Sequence, residues 1–92
     1  MAKRIILSKK AELDLARITN FNDKRNKSNT YSKRLFLNLM IRLESLAKHP
    51  ESGTRLDDNT RRLVWDDYYI FYDDDESRLL VLAIKHQKEN IV

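Results

Sequence analysis

With 92 residues, 18 Lys and Arg against 14 Asp and Glu, and a net charge of +4, the chain has the length of one small domain, 1–92, with a thin hydrophobic core. The lack of cysteine excludes disulfides and thiolate chemistry, and His49 and His86 stand far apart without ligand-like spacing, so no metal and no cofactor is expected. No apolar run approaches the ~18 residues of a membrane span, and MAKRIILSKK lacks the long apolar core of a secretory signal, so a cytoplasmic protein with no membrane partner is expected.

In chain order, Lys3 to Leu7 reads as a short strand with β-branched Ile5 and Ile6. Ser8 is placed to cap a helix over Lys9 to Asn22, whose apolar stripe is Ala11, Leu15 and Ile18, continued by Asn22 and widened by Leu13 and Phe21. The polar run Asp23 to Asn29 reads as an interhelical turn, with Ser28 or Asn29 capping the next helix. That second helix, over Thr30 to Lys48, carries a wide apolar face of Tyr31, Leu35, Phe36, Leu39, Met40, Leu43, Leu46 and Ala47, its leucines and Phe36 being expected in the core. Lys33, Arg34 and Arg42 fall among its more exposed positions. Pro50 ends it, because the residue before a proline is pushed out of the α region.

The period then changes. Arg61 to Trp65 reads as a strand, Asp66 and Asp67 as a hairpin turn, and Tyr68 to Tyr72 as an aromatic strand. Asp73 to Ser77 reads as a further turn. Arg78 to Lys85 is almost wholly apolar and is expected to be a central strand, followed by the polar tail HQKENIV. The fold class is therefore α+β, in the order β-α-α-β-β-β, with a helical hairpin packed on a small antiparallel sheet. The first strand is expected to join that sheet, its partner being left open by the pattern.

Charge is segregated along the chain. Residues 1–50 carry a net +8 and residues 51–92 a net −4. A basic half points to an acidic partner, either nucleic acid or an acidic protein segment.

The strand-helix start with SKKAELDLARI, the helix ending RLESLAKHPESG, the pair of strands in TRRLVWDDYYIFYDDD and the final LLVLAIKHQ, in this order, resemble the RelE/ParE toxin superfamily of type II toxin–antitoxin systems, closer to the ParE branch. The resemblance covers residues from about Ile6 to Gln87. It implies a cognate antitoxin whose acidic C-terminal segment wraps the sheet and helices, with oligomers of toxin–antitoxin heterodimers. It also implies a target, either DNA gyrase or the ribosome with its mRNA.

The two branches need different chemistry. RelE-like toxins resemble metal-independent ribonucleases, which require a base for the RNA 2′-hydroxyl, cations for the phosphorane and an acid for the leaving oxygen. The residues that match such a site are Arg62 and His86, with Arg61 and Tyr69 completing a variant. Tyr69 stands where that branch carries an arginine, and the tyrosine expected near its C terminus has no counterpart in NIV. A ParE-like gyrase inhibitor needs a binding surface instead. Its candidate target- or antitoxin-binding residues are Lys33, Arg34, Arg42, Lys85, Lys88 and Tyr72. A plain nucleic-acid-binding module is the third reading, resting on charge and on the aromatic strand as a stacking platform.

Overall fold

A computed structural model describes residues 3–26, 30–75 and 77–88, the side chains of 20–32 excepted. Its elements are β1 (Arg4–Leu7), α1 (Lys9–Asn26), α2 (Thr30–Lys48), a 3-10 turn (Pro50–Ser52), β2 (Thr54–Arg55), β3 (Thr60–Trp65), β4 (Tyr68–Asp74) and β5 (Arg78–His86). Ser8 makes the junction between strand and helix. Its hydroxyl oxygen accepts from Ala11 N–H at 3.0 Å, the expected N-cap, while the hydroxyl donates to the Leu82 carbonyl at 2.9 Å.

The five strands form one sheet in the order β1-β5-β4-β3-β2. β2 to β5 pair antiparallel, and β1 joins β5 in parallel, Ile5 beside Leu79 and Leu7 beside Val81. β5 is thus interior, as its apolar run predicts. The register between β4 and β5 shifts at one point: Phe71 pairs with Ala83 and Tyr72 with Val81, leaving Leu82 as the extra residue. Before this bulge Leu79 and Val81 point inward; beyond it the inward position is Ile84. A single residue therefore reverses the face to which the last part of β5 directs each side chain.

The helical hairpin lies on one face of this sheet. Ala11, Leu15 and Ile18 of α1 and Leu35, Leu39, Leu43 and Leu46 of α2 pack with Leu63, Trp65, Tyr68, Ile70, Tyr72, Leu79, Val81 and Ile84 from the sheet. Several expectations are corrected. α1 runs on to Asn26, because DKRN holds neither glycine nor proline to stop it. Leu13 does not widen the stripe; it is 59% exposed, and the core-facing position beside it belongs to Asp14. Phe36 is 42% exposed and lies at the margin of the core rather than in it, whereas Met40 packs partly buried against it. Tyr31, Phe21 and Asn22 have side chains outside those described, as do Ser28 and Asn29 as residues. β2 has no counterpart in the sequence pattern, since two residues carry no period. Asp73 and Asp74 belong to β4 rather than to the turn after it, and Asp74 meets Lys3 and Arg61.

Asp14 is a buried carboxylate, 6% exposed, among apolar neighbours. Its Oδ2 accepts from Ile84 N–H at 3.1 Å, beyond the end of β1 where β5 has lost its strand partner on that side. Lys10 and Arg17 lie 3.8 and 3.7 Å from its Oδ1, flanking it at exposed positions. The helix thus supplies the acceptor that a sheet edge needs.

Tyr72 anchors the turn after α2. Its hydroxyl donates to the Pro50 carbonyl at 2.5 Å and accepts from Gly53 N–H at 3.0 Å. A Cβ added to Gly53 would lie 2.5 Å from that hydroxyl oxygen, so glycine is required by close approach; its φ of −81° asks nothing special of the backbone.

These contacts set the stability of the fold at two points. Asp14→Ala leaves the Ile84 N–H without an acceptor and lowers unfolding free energy by about 1–3 kcal/mol in urea titration; an unchanged midpoint contradicts the edge-capping role. Tyr72→Phe orphans the Gly53 N–H and costs about 1–3 kcal/mol, and Gly53→Ala costs a similar ~1–3 kcal/mol through overpacking. Burial raises the Tyr72 phenol above its ordinary 10.0, against the lowering pull of Gly53 N–H and Arg61. The folded state therefore holds this proton more tightly than the unfolded state. The associated stability is complete below pH 10 and is lost as pH rises through the raised value, so Tyr72→Phe flattens the alkaline limb of the stability–pH curve.

Candidate functional site

The four side chains expected to form a nuclease site do not converge. Strand alternation places Leu63 and Trp65 of β3 on the helix side, with Arg61 in phase with them; Arg62 and Val64 take the opposite, open face. On β4, Tyr68, Ile70 and Tyr72 point to the helices, and Tyr69 and Phe71 to the open face. The bulge sets His86 opposite Tyr68 and Lys85 opposite Tyr69. Arg61 and His86 therefore lie on one side of the sheet and Arg62 and Tyr69 on the other.

Each half is also differently occupied. Arg61 donates to the Gly53 carbonyl at 3.0 Å and lies 3.8 Å from Asp74 Oδ2, while Lys3 pairs with Asp74 Oδ1 and donates to the Asp75 carbonyl. A polar cavity of about 180 Å³ beside it is lined by Arg55, Asp57, Asp58, Asn59, Arg61 and Asp74, so an incoming phosphate would meet three carboxylates. Asp57 shapes this corner: its Oδ1 accepts from the Asn59 and Thr60 N–H groups at 2.9 Å each, and those bonds hold its carboxyl below the usual range. In this structure the Arg61 guanidinium is thus engaged by the Gly53 carbonyl and Asp74.

His86 packs edge-on against Tyr68, with ring centroids 5.3 Å apart, and Tyr68 stacks on Trp65 at 5.4 Å. Its Nδ1 accepts from Lys88 N–H at 3.1 Å. The adjacent Gln87 donates through its backbone to the Asp67 carbonyl at 2.8 Å and through Nε2 to the Asp66 carbonyl at 3.0 Å. These bonds fasten the end of β5 to the β3–β4 turn, where Asp66 takes a positive φ of 54°. His86 sits beside this junction, against Tyr68.

On the open face Arg62 lies over the Tyr69 ring, its guanidinium carbon 4.6 Å from the centroid. Its Nε is buried and has no hydrogen-bond partner among the described residues. Lys85, across from Tyr69, shares that face. Tyr72, expected among the partner-binding residues, is instead fully buried with its hydroxyl engaged in the turn, because β4 gives it the inward phase. Lys88 is exposed beyond β5.

α2 offers the second surface. Lys33 and Arg34 are exposed and Arg42 is half-buried. Between them lie Leu37 and Ile41, 61% and 65% exposed, one turn apart on the side away from Leu35, Leu39 and Leu43. Reasoning from sequence misses this pair. Its signal is that two large apolar residues stand one turn apart among the polar residues Arg34, Asn38, Ser45 and Lys48, on the face that a helix buried on one side leaves to polar groups. Among the described residues no group of three His, Asp or Glu side chains gathers to hold a metal, and no helix is long and apolar enough to cross a membrane.

A helical hairpin on one face of a five-stranded sheet, with cations and aromatics on the other, defines a small α+β protein of the RelE/ParE fold. Residues 5–91 match the family described as ParE toxin of type II toxin-antitoxin system, parDE, and the chain belongs to that family. Among solved structures it is similar to a chain of the chromosomal ParDE toxin–antitoxin system from P. aeruginosa, with TM-score 0.75 and 12% identity over 92% of this chain and 96% of that one. It is likewise similar to a chain of the RelBE2 toxin–antitoxin complex from Mycobacterium tuberculosis, with TM-score 0.69 and 15% identity over 94% and 99%. A comparison with curated proteins finds no match.

Because the Lys88 N–H occupies Nδ1 of His86, the neutral ring carries its proton on Nε2. Long-range nitrogen–proton correlation spectra are expected to show that tautomer; a dominant Nδ1–H form contradicts this geometry.

Proposed function

We propose that this ParE-family toxin acts in the bacterial cytoplasm by inhibiting DNA gyrase through its surface, and that a cognate antitoxin with an acidic segment neutralises it. The observation that carries the reading is the division of Arg61 and His86 from Arg62 and Tyr69 by the full thickness of the sheet. A phosphoryl-transfer site needs its base, acid and cations within hydrogen-bond reach of one phosphate. Here no phosphate can meet all four, and two of them are held in structural contacts. Gyrase inhibition asks only for a surface.

Two features support the antitoxin. Both similar solved chains come from toxin–antitoxin systems. The apolar strip of Leu37 and Ile41, flanked by Lys33 and Arg34, matches an amphipathic helix with an acidic margin, a segment disordered until it binds.

Tightly controlled expression tests the target. Gyrase inhibition gives filamentous cells, an induced DNA-damage response and loss of supercoiling by purified gyrase in the presence of the chain. His86→Gln and Arg61→Gln variants that fold remain toxic, because neither contributes to chemistry. Losing a relay residue from a true nuclease reduces cleavage by about 100-fold or more. Early arrest of translation with transcripts cut at codon boundaries, abolished by either variant, overturns the proposal in favour of RelE-like mRNA cleavage.

A further inference from the structure

α2 carries an apolar strip on the side that the fold leaves uncovered. Leu35, Leu39, Leu43 and Leu46 pack toward the sheet, whereas Leu37 and Ile41, 61% and 65% exposed, stand on the opposite side of the helix. Leu13, 59% exposed, lies on the side of α1 opposite Ala11 and Leu15, so the outer layer of the hairpin bears three large apolar side chains. Along α2, Arg34, Leu37, Ile41, Glu44 and Lys48 follow one another at spacings of 3, 4, 3 and 4 residues. That is the seam of a helix that packs lengthwise against another helix. Leu37 and Ile41 form its centre, with Lys33 and Arg34 one turn before them and Glu44 one turn after. These three charged residues are exposed, and none of them enters an ion pair among the described residues.

The order of the charges selects the occupant. When two copies of α2 lie antiparallel about a twofold axis level with Leu39, Leu37 of each copy meets Ile41 of the other, and Arg34 falls level with Glu44 of the other. Lys33 stands on the same flank of the helix as Glu44, so it closes on the other copy's glutamate from the side. The seam is thus complementary to itself in shape and in charge. A parallel pair instead brings Arg34 to Arg34 and Glu44 to Glu44, and repels at both ends. A wholly acidic helix gains at Lys33 and Arg34 but meets Glu44. The geometry points to a second copy of this chain as the occupant: α2 pairs antiparallel with α2 of another molecule, through Leu37 and Ile41 at the centre and Arg34–Glu44 contacts repeated by symmetry at the ends.

Such a contact is small. Two helices touching over a few turns bury on the order of 1,000 Å² in total, the lower end for a specific interface. The pair is therefore a reversible, concentration-dependent dimer, and it leaves the open sheet face free in both copies. It occupies the strip proposed above for an amphipathic antitoxin helix, so pairing belongs to chain free of that partner. The self-association itself does not depend on the antitoxin reading.

Sedimentation velocity of the purified chain, from low micromolar to near-millimolar concentration, tests the pairing. The unaltered chain is expected to pass from monomer to dimer across that range. Ile41→Asp, Arg34→Glu and Glu44→Arg each change an exposed side chain, so folding is kept, which an unshifted urea midpoint checks. Each is expected to weaken association about tenfold or more, because it buries a charge at the seam or sets like charges together. Arg34→Glu and Glu44→Arg chains mixed in equal amounts are expected to associate again, since each variant supplies the charge that the other lacks. Lys85→Gln, on the open sheet face, leaves association unchanged. A chain that stays monomeric throughout, a dimer indifferent to Ile41→Asp, or a mixture no more associated than its two components overturns the pairing. A chain that never dimerises but binds a synthetic acidic amphipathic helix at Leu37 and Ile41 overturns it likewise and assigns the strip to a partner of other chemistry.

Discussion

Everything the sheet presents to a partner is governed by strand alternation, interrupted once. A strand can show only every second residue to a given face, and a pair of neighbouring residues is always divided between the two. Arg61 and Arg62 are such a pair, so they cannot serve one site however the loops move. The bulge at Leu82 applies the same rule in reverse to β5. With regular pairing through that point, the residues after Ala83 would change faces: Lys85 would turn toward the helices, and His86 would leave Tyr68 for the open side. One extra residue thus sets the histidine against Tyr68 on the helix side and gives the open face its second cation.

The end of the sheet near β2 is held by a different logic, that of polar groups consumed locally. Tyr72 bonds the turn after α2, Arg61 bonds the Gly53 carbonyl, and Asp74 gathers both Arg61 and Lys3. These side chains come from β3, β4 and the residue before β1, so the network ties the first strand region to the last hairpin. None of the charges involved is deeply buried, so their electrostatic worth is modest. Their chief effect is geometric: they fix where the helical hairpin ends relative to the sheet, and they engage Arg61, the second of the two arginines that the sequence offers for a phosphate site.

Much of this architecture is legible in the sequence because it depends on local chemistry. The Ser8 cap, the proline after α2, the Asp66–Asp67 turn and the apolar run of β5 each announce themselves by residue type at a position. The features that escape depend on pairing. β2 exists only because Thr54 and Arg55 meet Arg62 and Arg61, and the parallel docking of β1 is a matter of tertiary packing that its own four residues do not encode. The candidate site is obscured for the same reason. Arg61, Arg62, Tyr69 and His86 all lie on three consecutive paired strands, and their faces are decided only by the register, including a bulge invisible in the apolar run LLVLAIK. Asp14 is hidden in a helical stripe because a carboxylate at a core position looks like a surface residue until the edge it caps is known.

The separation of charge along the chain acquires a structural meaning from these placements. Acidic residues of the second half cluster in turns and strand ends, at Asp57–Asp58, Asp66–Asp67 and Asp73–Asp75, where several accept backbone or cationic hydrogen bonds. The basic residues Lys33 and Arg34 stand exposed on α2, and Arg62 and Lys85 stand on the open sheet face. Part of the negative charge, on Asp57, Asp74 and Asp75, is thus engaged within the fold, and much of the positive charge is left facing outward. A protein arranged in this way presents more positive charge to its surroundings than its modest net charge suggests, on two separate surfaces, one helical and one on the sheet.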